Sequence, residues 1–92
     1  MQIKITMMGT LRKTTGKKEI ILNDVKNIKA LIQELVREYP TLKDELMDPV
    51  MNSPIPNSLI IVDGVEITNM EGINTPIKDG SELIFLPVTH GG

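Results

Sequence analysis

Cysteine is absent from this 92-residue chain, and aromatic residues make up only 2% of it. Without thiols the chain forms no disulfide and offers neither a thiolate metal ligand nor a cysteine nucleophile. Its two aromatic residues are Tyr39 and Phe85, so the chain has no aromatic platform on which nucleic-acid bases could stack. The core must therefore be built from isoleucine, leucine, valine and methionine.

A strong charge of either sign is also missing. Ten basic and twelve acidic residues give a net charge of -2. Since domains that hold nucleic acid through its phosphates are usually basic, we expect no direct nucleic-acid binding. The N-terminus lacks the long apolar run of a signal peptide, and no stretch is long enough to span a bilayer. We therefore expect a cytoplasmic protein without a membrane role.

Groups that could catalyse a reaction are few. His90 is the only imidazole, and no serine or aspartate stands near it in a triad-like pattern. No glycine-rich phosphate loop precedes a helix, and the spacing of metal ligands is missing. The acidic residues of the central part are expected to form a solvated face. These features favour a binding or carrier module that holds no metal or cofactor, rather than an enzyme acting alone.

The first part of the chain predicts two strands. Residues 2–8 alternate apolar and polar side chains, which is typical of a half-buried strand. Gly9 and the polar run 14–18 predict a turn. Residues 19–22 read EIIL and predict a second strand, so we expect a hairpin.

An amphipathic helix is predicted next. Asn27 is a suitable helix cap, and apolar residues follow it at spacings of three and four, which indicates one apolar stripe. Pro40 ends the helix because the residue before a proline disfavours helical geometry. Residues 41–47 are expected to add a short helical turn. The stripe comprises Ile28, Leu31, Ile32, Leu35, Val36 and Tyr39.

The remaining sequence predicts a loop and three more strands. Residues 48–57 are rich in proline and indicate a loop. Residues 58–67 predict a hairpin around Asp63 and Gly64, a pair that suits a type I′ turn with positive φ at both positions. Residues 82–87 predict the last strand.

The resulting order of elements is β-β-α-β-β-β. One helical stripe packed across one face of a mixed sheet is the economical arrangement for this order, with the first and last strands side by side. We therefore expect an α+β chain with the β-grasp fold of ubiquitin. Residues 1–92 are predicted to form a single domain, with a flexible tail at about 88–92.

The last two residues, Gly91 and Gly92, follow closely on the predicted last strand. Glycine has no side chain and adopts nearly any backbone conformation, so the pair lets a terminal carboxylate enter a narrow channel. Thr89 and His90 are expected to keep the tail in water. Because a carboxylate is a poor electrophile, it must be activated, for instance as an acyl-adenylate, before sulfide or an amine attacks it. We expect Gly92 to carry the reactive group.

The whole chain resembles the ubiquitin-like sulfur carriers, which include MoaD, ThiS, the ubiquitin-related modifier of eukaryotes and the small archaeal modifier proteins. The segments DGVEI, NTPIKDGSEL and FLPVTHGG resemble the MoaD pattern of a glycine hairpin, a T-P-L-x-D-G-D-x-V connection and an F-x-P-P-x-x-G-G end. The helix end EYPTL also matches a frequent feature of the family. Ser81 departs from a common aspartate, Val88 departs from the second proline of MoaD, and THGG replaces the usual small residue before the two glycines.

This resemblance implies a mechanism. An E1-like enzyme uses ATP and magnesium, which it binds itself, to adenylate the Gly92 carboxylate. A sulfurtransferase persulfide or another sulfide source then yields a thiocarboxylate. The sulfur passes to a tRNA uridine through a tRNA thiolase, to molybdopterin or to the thiamin thiazole. Alternatively, activated Gly92 forms an isopeptide bond with a lysine of a target protein. Gly91 gives access to the enzyme, and Thr89 and His90 contact it.

Strand alternation also suggests a docking surface for this partner. Met8 and Leu86 point away from the core, and if their strands are neighbours they form an exposed apolar patch near the tail. Met70 and Leu86 resemble positions that MoaD uses against its partners. The alternative is that Met8 or Ile84 is buried under the loop at 48–57 or in a homodimer.

Four basic residues cluster in the predicted first hairpin. They form either a charged turn that keeps a sheet edge soluble or a weak docking patch for an acidic partner. These residues are Arg12, Lys13, Lys17 and Lys18.

Two other functions remain open. The first is the small subunit of a molybdopterin synthase, which would have the large subunit of that enzyme as a stable partner. The second is a ubiquitin-like interaction domain with an inert tail, which would lose no function when the two glycines are removed.

Overall fold

The computed structural model describes residues 2–46 and 58–87. The loop predicted at 48–57 and the tail predicted at 88–92 therefore lie outside the described residues. The elements are β1 (Gln2–Met7), α1 (Thr10–Thr15), β2 (Glu19–Asn23), α2 (Ile28–Glu38), α3 (Lys43–Leu46), β3 (Ser58–Val62), β4 (Val65–Glu66) and β5 (Glu82–Pro87). Short 3₁₀ turns cover Pro40–Leu42, Ile67–Asn69 and Gly72–Asn74.

The five strands form one mixed sheet in the order β2-β1-β5-β3-β4. β1 and β5 are parallel neighbours, with Met7 opposite Phe85. The other neighbouring pairs are antiparallel. The predicted adjacency of the first and last strands is therefore confirmed.

The main helix, α2, packs its apolar stripe against the sheet. It begins after Asn27, whose side chain accepts a hydrogen bond from the Ala30 N–H at 2.8 Å and so satisfies one of the free amides of the first turn. It ends before Pro40, as predicted. The stripe side chains Ile28, Leu31, Ile32 and Leu35 are fully buried, and Val36 and Tyr39 are partly buried against the same core.

The core lies between α2 and the facing side of the sheet. Alternate residues of the two central strands supply much of it: Ile3, Ile5 and Met7 from β1, and Leu83 and Phe85 from β5. Full burial of one such side chain contributes about 1.5–3 kcal/mol to folding. The inward set of each strand matches the period of two in the sequence.

The connection from β1 to β2 differs from the predicted turn. Residues Thr10–Thr15 form a short helix, α1, whose Leu11 is fully buried. Gly16 ends this helix in the left-handed region at a φ of 71°, where a residue with a side chain is disfavoured. The predicted antiparallel pairing of the first two strands is confirmed, but the helix in their connection was missed, because six residues with one buried apolar position show no helical period. Arg12 and Lys13 therefore lie on a helix.

The Asp63–Gly64 turn between β3 and β4 is confirmed. Both residues have positive φ, 49° and 86°, as a type I′ turn requires. β4 is shorter than predicted because Ile67 begins a 3₁₀ turn.

Candidate functional site

The edge of the sheet where β5 ends is the part of the described fold nearest to the predicted tail. Because β1 and β5 are parallel, their C-terminal ends meet at this edge. The Met8 N–H donates to the Phe85 carbonyl at 3.2 Å. The chain leaves the described region after Pro87, close to the point where β1 passes into α1. The predicted tail residues Thr89, His90, Gly91 and Gly92 lie outside the described residues.

An apolar patch covers this end of the sheet on the face opposite the core. Strand pairing places Leu59 beside Leu86 and Ile61 beside Ile84. Met7 lies opposite Phe85 in the parallel pair of β1 and β5, so this register puts the following residues, Met8 and Leu86, level with each other. Met8 and Leu59 are each 42% exposed, while the other three side chains are half-buried. We call this set the outer patch; it consists of Met8, Leu59, Ile61, Ile84 and Leu86.

Met8 and Leu86 both lie on the face opposite the core, as strand alternation indicated, but only Met8 is exposed and Leu86 is half-buried. The structure adds Leu59, which the sequence analysis missed. The available signal was that Leu59 alternates with buried Ile60, but alternation alone does not reveal that β3 pairs with β5. The binding of a partner to this patch stays a prediction.

Met70 lies on a different surface from Met8 and Leu86. It follows the 3₁₀ turn Ile67–Asn69 and is 44% exposed. With Val65 and Pro76 it lines a cavity of about 300 Å³ near the short strand β4, and neither Met8 nor Leu86 contributes to that lining. The three predicted docking residues within the described part of the chain therefore fall on two surfaces.

A basic groove runs along α1, next to the outer patch in sequence. Gly9, Arg12, Lys13 and Gly16 line this groove, whose volume is about 430 Å³. Their spacing of three and four puts them on one helical face. The two basic side chains are exposed. The sheet edge thus carries an apolar surface and, beside it, a cationic one.

Within residues 2–46 and 58–87, no group of histidine, aspartate or glutamate side chains is placed to hold a metal ion. The helices of this region include none with the length and apolar character needed to cross a membrane.

Comparison with known proteins adds a family and a set of relatives. The model of the ThiS family matches residues 5–92. The sulfur carrier protein CysO of Mycobacterium bovis is 26% identical over 93 residues, which cover 100% of both chains. The solution structure of small archaeal modifier protein 1 from Methanosarcina acetivorans has a TM-score of 0.83 and 28% identity, covering 99% of this chain and 96% of that one.

A crystal structure of the BexX/CysO complex from Amycolatopsis orientalis has a TM-score of 0.79 and 20% identity, covering 98% of this chain and 99% of the matched chain. The likeness to these structures confirms the predicted ubiquitin-like β-grasp fold.

Proposed function

The chain belongs to the ThiS family, and on that premise we propose that it is a carrier whose Gly92 carboxylate is activated by an E1-like enzyme. Membership among the ubiquitin-like sulfur carriers and modifiers confirms the resemblance noted in the sequence. The observation that carries the finer proposal is that the family match extends to Gly92. The two glycines are thus part of the segment that the family shares.

The proposed chemistry takes place at one carboxylate. A Gly92 oxygen attacks the α-phosphorus of ATP, and pyrophosphate leaves to give an acyl-adenylate. The outer sulfur of a sulfurtransferase persulfide then attacks the acyl carbon and AMP leaves. The product is an acyl disulfide that links Gly92 to the sulfurtransferase. A thiol reductant cleaves the S–S bond and leaves the thiocarboxylate. ATP and magnesium are held by the activating enzyme, and this chain supplies only the carboxylate and the surfaces that position it.

The outer patch is the surface that we assign to the activating enzyme. A five-residue segment reaches about 16–18 Å when fully extended, so an enzyme that acts on Gly92 must hold the domain close to the end of β5. The outer patch lies at this edge, and Met8 and Leu59 expose apolar surface there. Buried apolar anchors supply most of the binding energy in many interfaces.

The partners follow from the same chemistry. A relative, CysO, was crystallised in a complex with BexX, which supports the idea that carriers of this type work while bound to another protein. For this chain we propose an E1-like adenylating enzyme and a sulfurtransferase or other sulfide source. The sulfur acceptors are a tRNA uridine, molybdopterin or the thiamin thiazole.

Conjugation to lysines of target proteins is a second candidate function. The 28% identity to small archaeal modifier protein 1 favours it. It uses the same acyl-adenylate, which an amine attacks in place of a sulfur nucleophile. Mass spectrometry of proteins from the native cell separates the two outcomes, because only conjugation leaves a C-terminal piece of this chain on a lysine. Trypsin would leave residues 79–92, since Lys78 is the last basic residue that could be cleaved before Gly92.

The direct test combines the protein with its E1-like enzyme, ATP, magnesium and a sulfur source. We expect intact-mass analysis to show the gain of one sulfur-for-oxygen exchange. Deletion of Gly92 should abolish this gain and leave the fold intact, because terminal residues make few packing contacts. A far-UV circular dichroism spectrum and an unfolding curve serve as controls. If the shortened chain is modified as before, Gly92 is not the reactive residue.

A further inference from the structure

The basic groove of α1 brings two neighbouring exposed cations, Arg12 and Lys13, onto one lining. Lys4 lies 3.5 Å from the Glu19 carboxylate, and Arg37 is paired with Glu34. Arg12 and Lys13, like the exposed Lys17 and Lys18 that follow α1, form no ion pair with a carboxylate in the described part of the chain, so their charge is available to a partner.

The side chains that line the groove suit an acidic segment. Gly9 and Gly16, which precede and follow α1, contribute no side chains to the lining, and a Cβ added at Gly16 would meet no atom within 4 Å. The space of about 430 Å³ is therefore open at the Gly16 end and flanked by Arg12 and Lys13. Arg12 and Lys13 are both positively charged, and a carboxylate that comes close to them is attracted by the opposite charge.

Lys17 and Lys18 extend this charge beyond the groove. Both are exposed and follow α1 directly. The whole chain carries a net charge of -2, so this local cluster of positive charge is opposite in sign to the net charge of the protein. A local field of this kind steers an oppositely charged surface toward one side of the protein.

The groove is continuous with the outer patch. Met8 belongs to that patch, and the next residue, Gly9, lines the groove. α1 also contacts β5, the strand that carries Leu86. A single partner that covers the apolar residues can therefore reach the cations of α1 without a second binding event.

We propose that the basic groove, together with Lys17 and Lys18, receives a segment rich in aspartate and glutamate from the protein that docks on the outer patch. This inference rests on the proposed function and identifies the chemistry of that partner. An acidic protein segment is favoured over RNA because the exposed surface offers no aromatic stacking platform: Phe85 is fully buried and Tyr39 is partly buried in the core.

The test is a double charge reversal, Arg12→Glu with Lys13→Glu, assayed by ATP–pyrophosphate exchange with the E1-like enzyme. We expect KM for the carrier to rise at least about tenfold at low ionic strength, since charges at the border of an interface act mainly on association. kcat should stay unchanged because Gly92 is untouched. The difference should shrink between about 0.01 and 1 M salt, where the Debye length falls from about 30 to 3 Å. Arg12→Lys should keep KM within about twofold.

The matched control is Lys26→Glu with Lys29→Glu. These two residues are exposed at the start of α2, in the segment that follows β2. The double substitution changes the net charge by the same amount as the reversal at Arg12 and Lys13. We expect its KM to equal that of the unmodified protein. Equal KM values for the two double variants, at every salt concentration, would overturn the proposal while leaving the proposed function intact.

Two further titrations separate the remaining outcomes, using a labelled oligo-glutamate peptide and a labelled oligo-uridine RNA. We expect the peptide to bind and the reversal at Arg12 and Lys13 to abolish binding. Preferential RNA binding that the reversal abolishes, with KM unchanged, would make the groove a nucleic-acid site and contradict the proposal. If no E1-like enzyme adenylates the unmodified chain, the proposed function fails, and equal peptide binding by both double variants would then reject the groove as well.

Discussion

Leu86 shows how one residue links the sheet to the proposed partner. It pairs with Leu59 across β5 and β3 and lies at the edge where the chain leaves the described fold. We expect Leu86→Glu to weaken binding of the E1-like enzyme at least about tenfold, or roughly 1.4 kcal/mol. Because this side chain is half-buried, we expect a loss of about 1 kcal/mol in unfolding free energy. Calorimetric titration and urea unfolding measure the two effects.

Ile21→Glu is the matched control for this variant. Ile21 is 55% exposed and pairs with Lys4, so it lies on the same outer face but on the edge strand β2. The substitution should leave enzyme binding unchanged. If both variants bind equally well, the outer patch is not the docking surface; a collapse of the folded state in Leu86→Glu would show that Leu86 stabilises the fold instead.

At the scale of an element, α2 shows that a helix in this fold is stabilised by one face. Leu35 is fully buried in the stripe, whereas Lys29 is exposed on the other side. We expect Leu35→Ala to lower the unfolding free energy by about 2–5 kcal/mol, as truncation of a buried leucine does. Lys29→Ala should change it by no more than about 0.5 kcal/mol. Urea titration followed by circular dichroism checks both, and similar midpoints would contradict the assigned face.

α1, unlike α2, forms a helix although its sequence has no apolar stripe. Its single buried residue, Leu11, joins the core from a short and otherwise polar helix. The Gly16 N–H closes the helix on the Arg12 carbonyl at 2.9 Å. Tertiary burial of Leu11, rather than the helical preference of six residues, therefore stabilises the element that presents the basic groove.

For the whole molecule, β5 is the strand on which the sheet depends. It pairs with β1 on one side and with β3 on the other, and it supplies Leu83 and Phe85 to the core. A chain that ends at residue 80 would expose two strand edges and lose both side chains. We expect that chain to show no cooperative urea transition and poorly dispersed amide signals in NMR spectra.

The control for this truncation is a chain that ends at residue 90, which keeps β5 and removes only the two glycines. It should unfold with the same midpoint and slope as the full chain, since the slope reports the surface exposed on unfolding. A cooperative transition with the full slope in the chain ending at residue 80 would show that β5 is dispensable for folding.

Much of the fold is encoded in local patterns of the sequence. The period of two in β1 and β5, the stripe of α2 and the Asp63–Gly64 turn each lie within a few consecutive residues, and each was predicted from them. The two terminal glycines likewise suggested the carrier chemistry without any structure. Such features can be read because backbone geometry repeats locally and imposes its own spacing on apolar side chains.

The tertiary structure decided what depends on contacts between distant segments. Strand alternation placed Met8 and Leu86 outward, but only the pairing of β3 with β5 adds Leu59 to the outer patch. Met70 and Leu86 each resemble a position that MoaD uses against its partners, yet Met70 lines a pocket to which Leu86 does not contribute. α1 is stabilised because Leu11 packs into a core that other elements form. Burial and strand order depend on contacts between residues that are far apart in the chain. A local period of apolar residues does not specify those contacts.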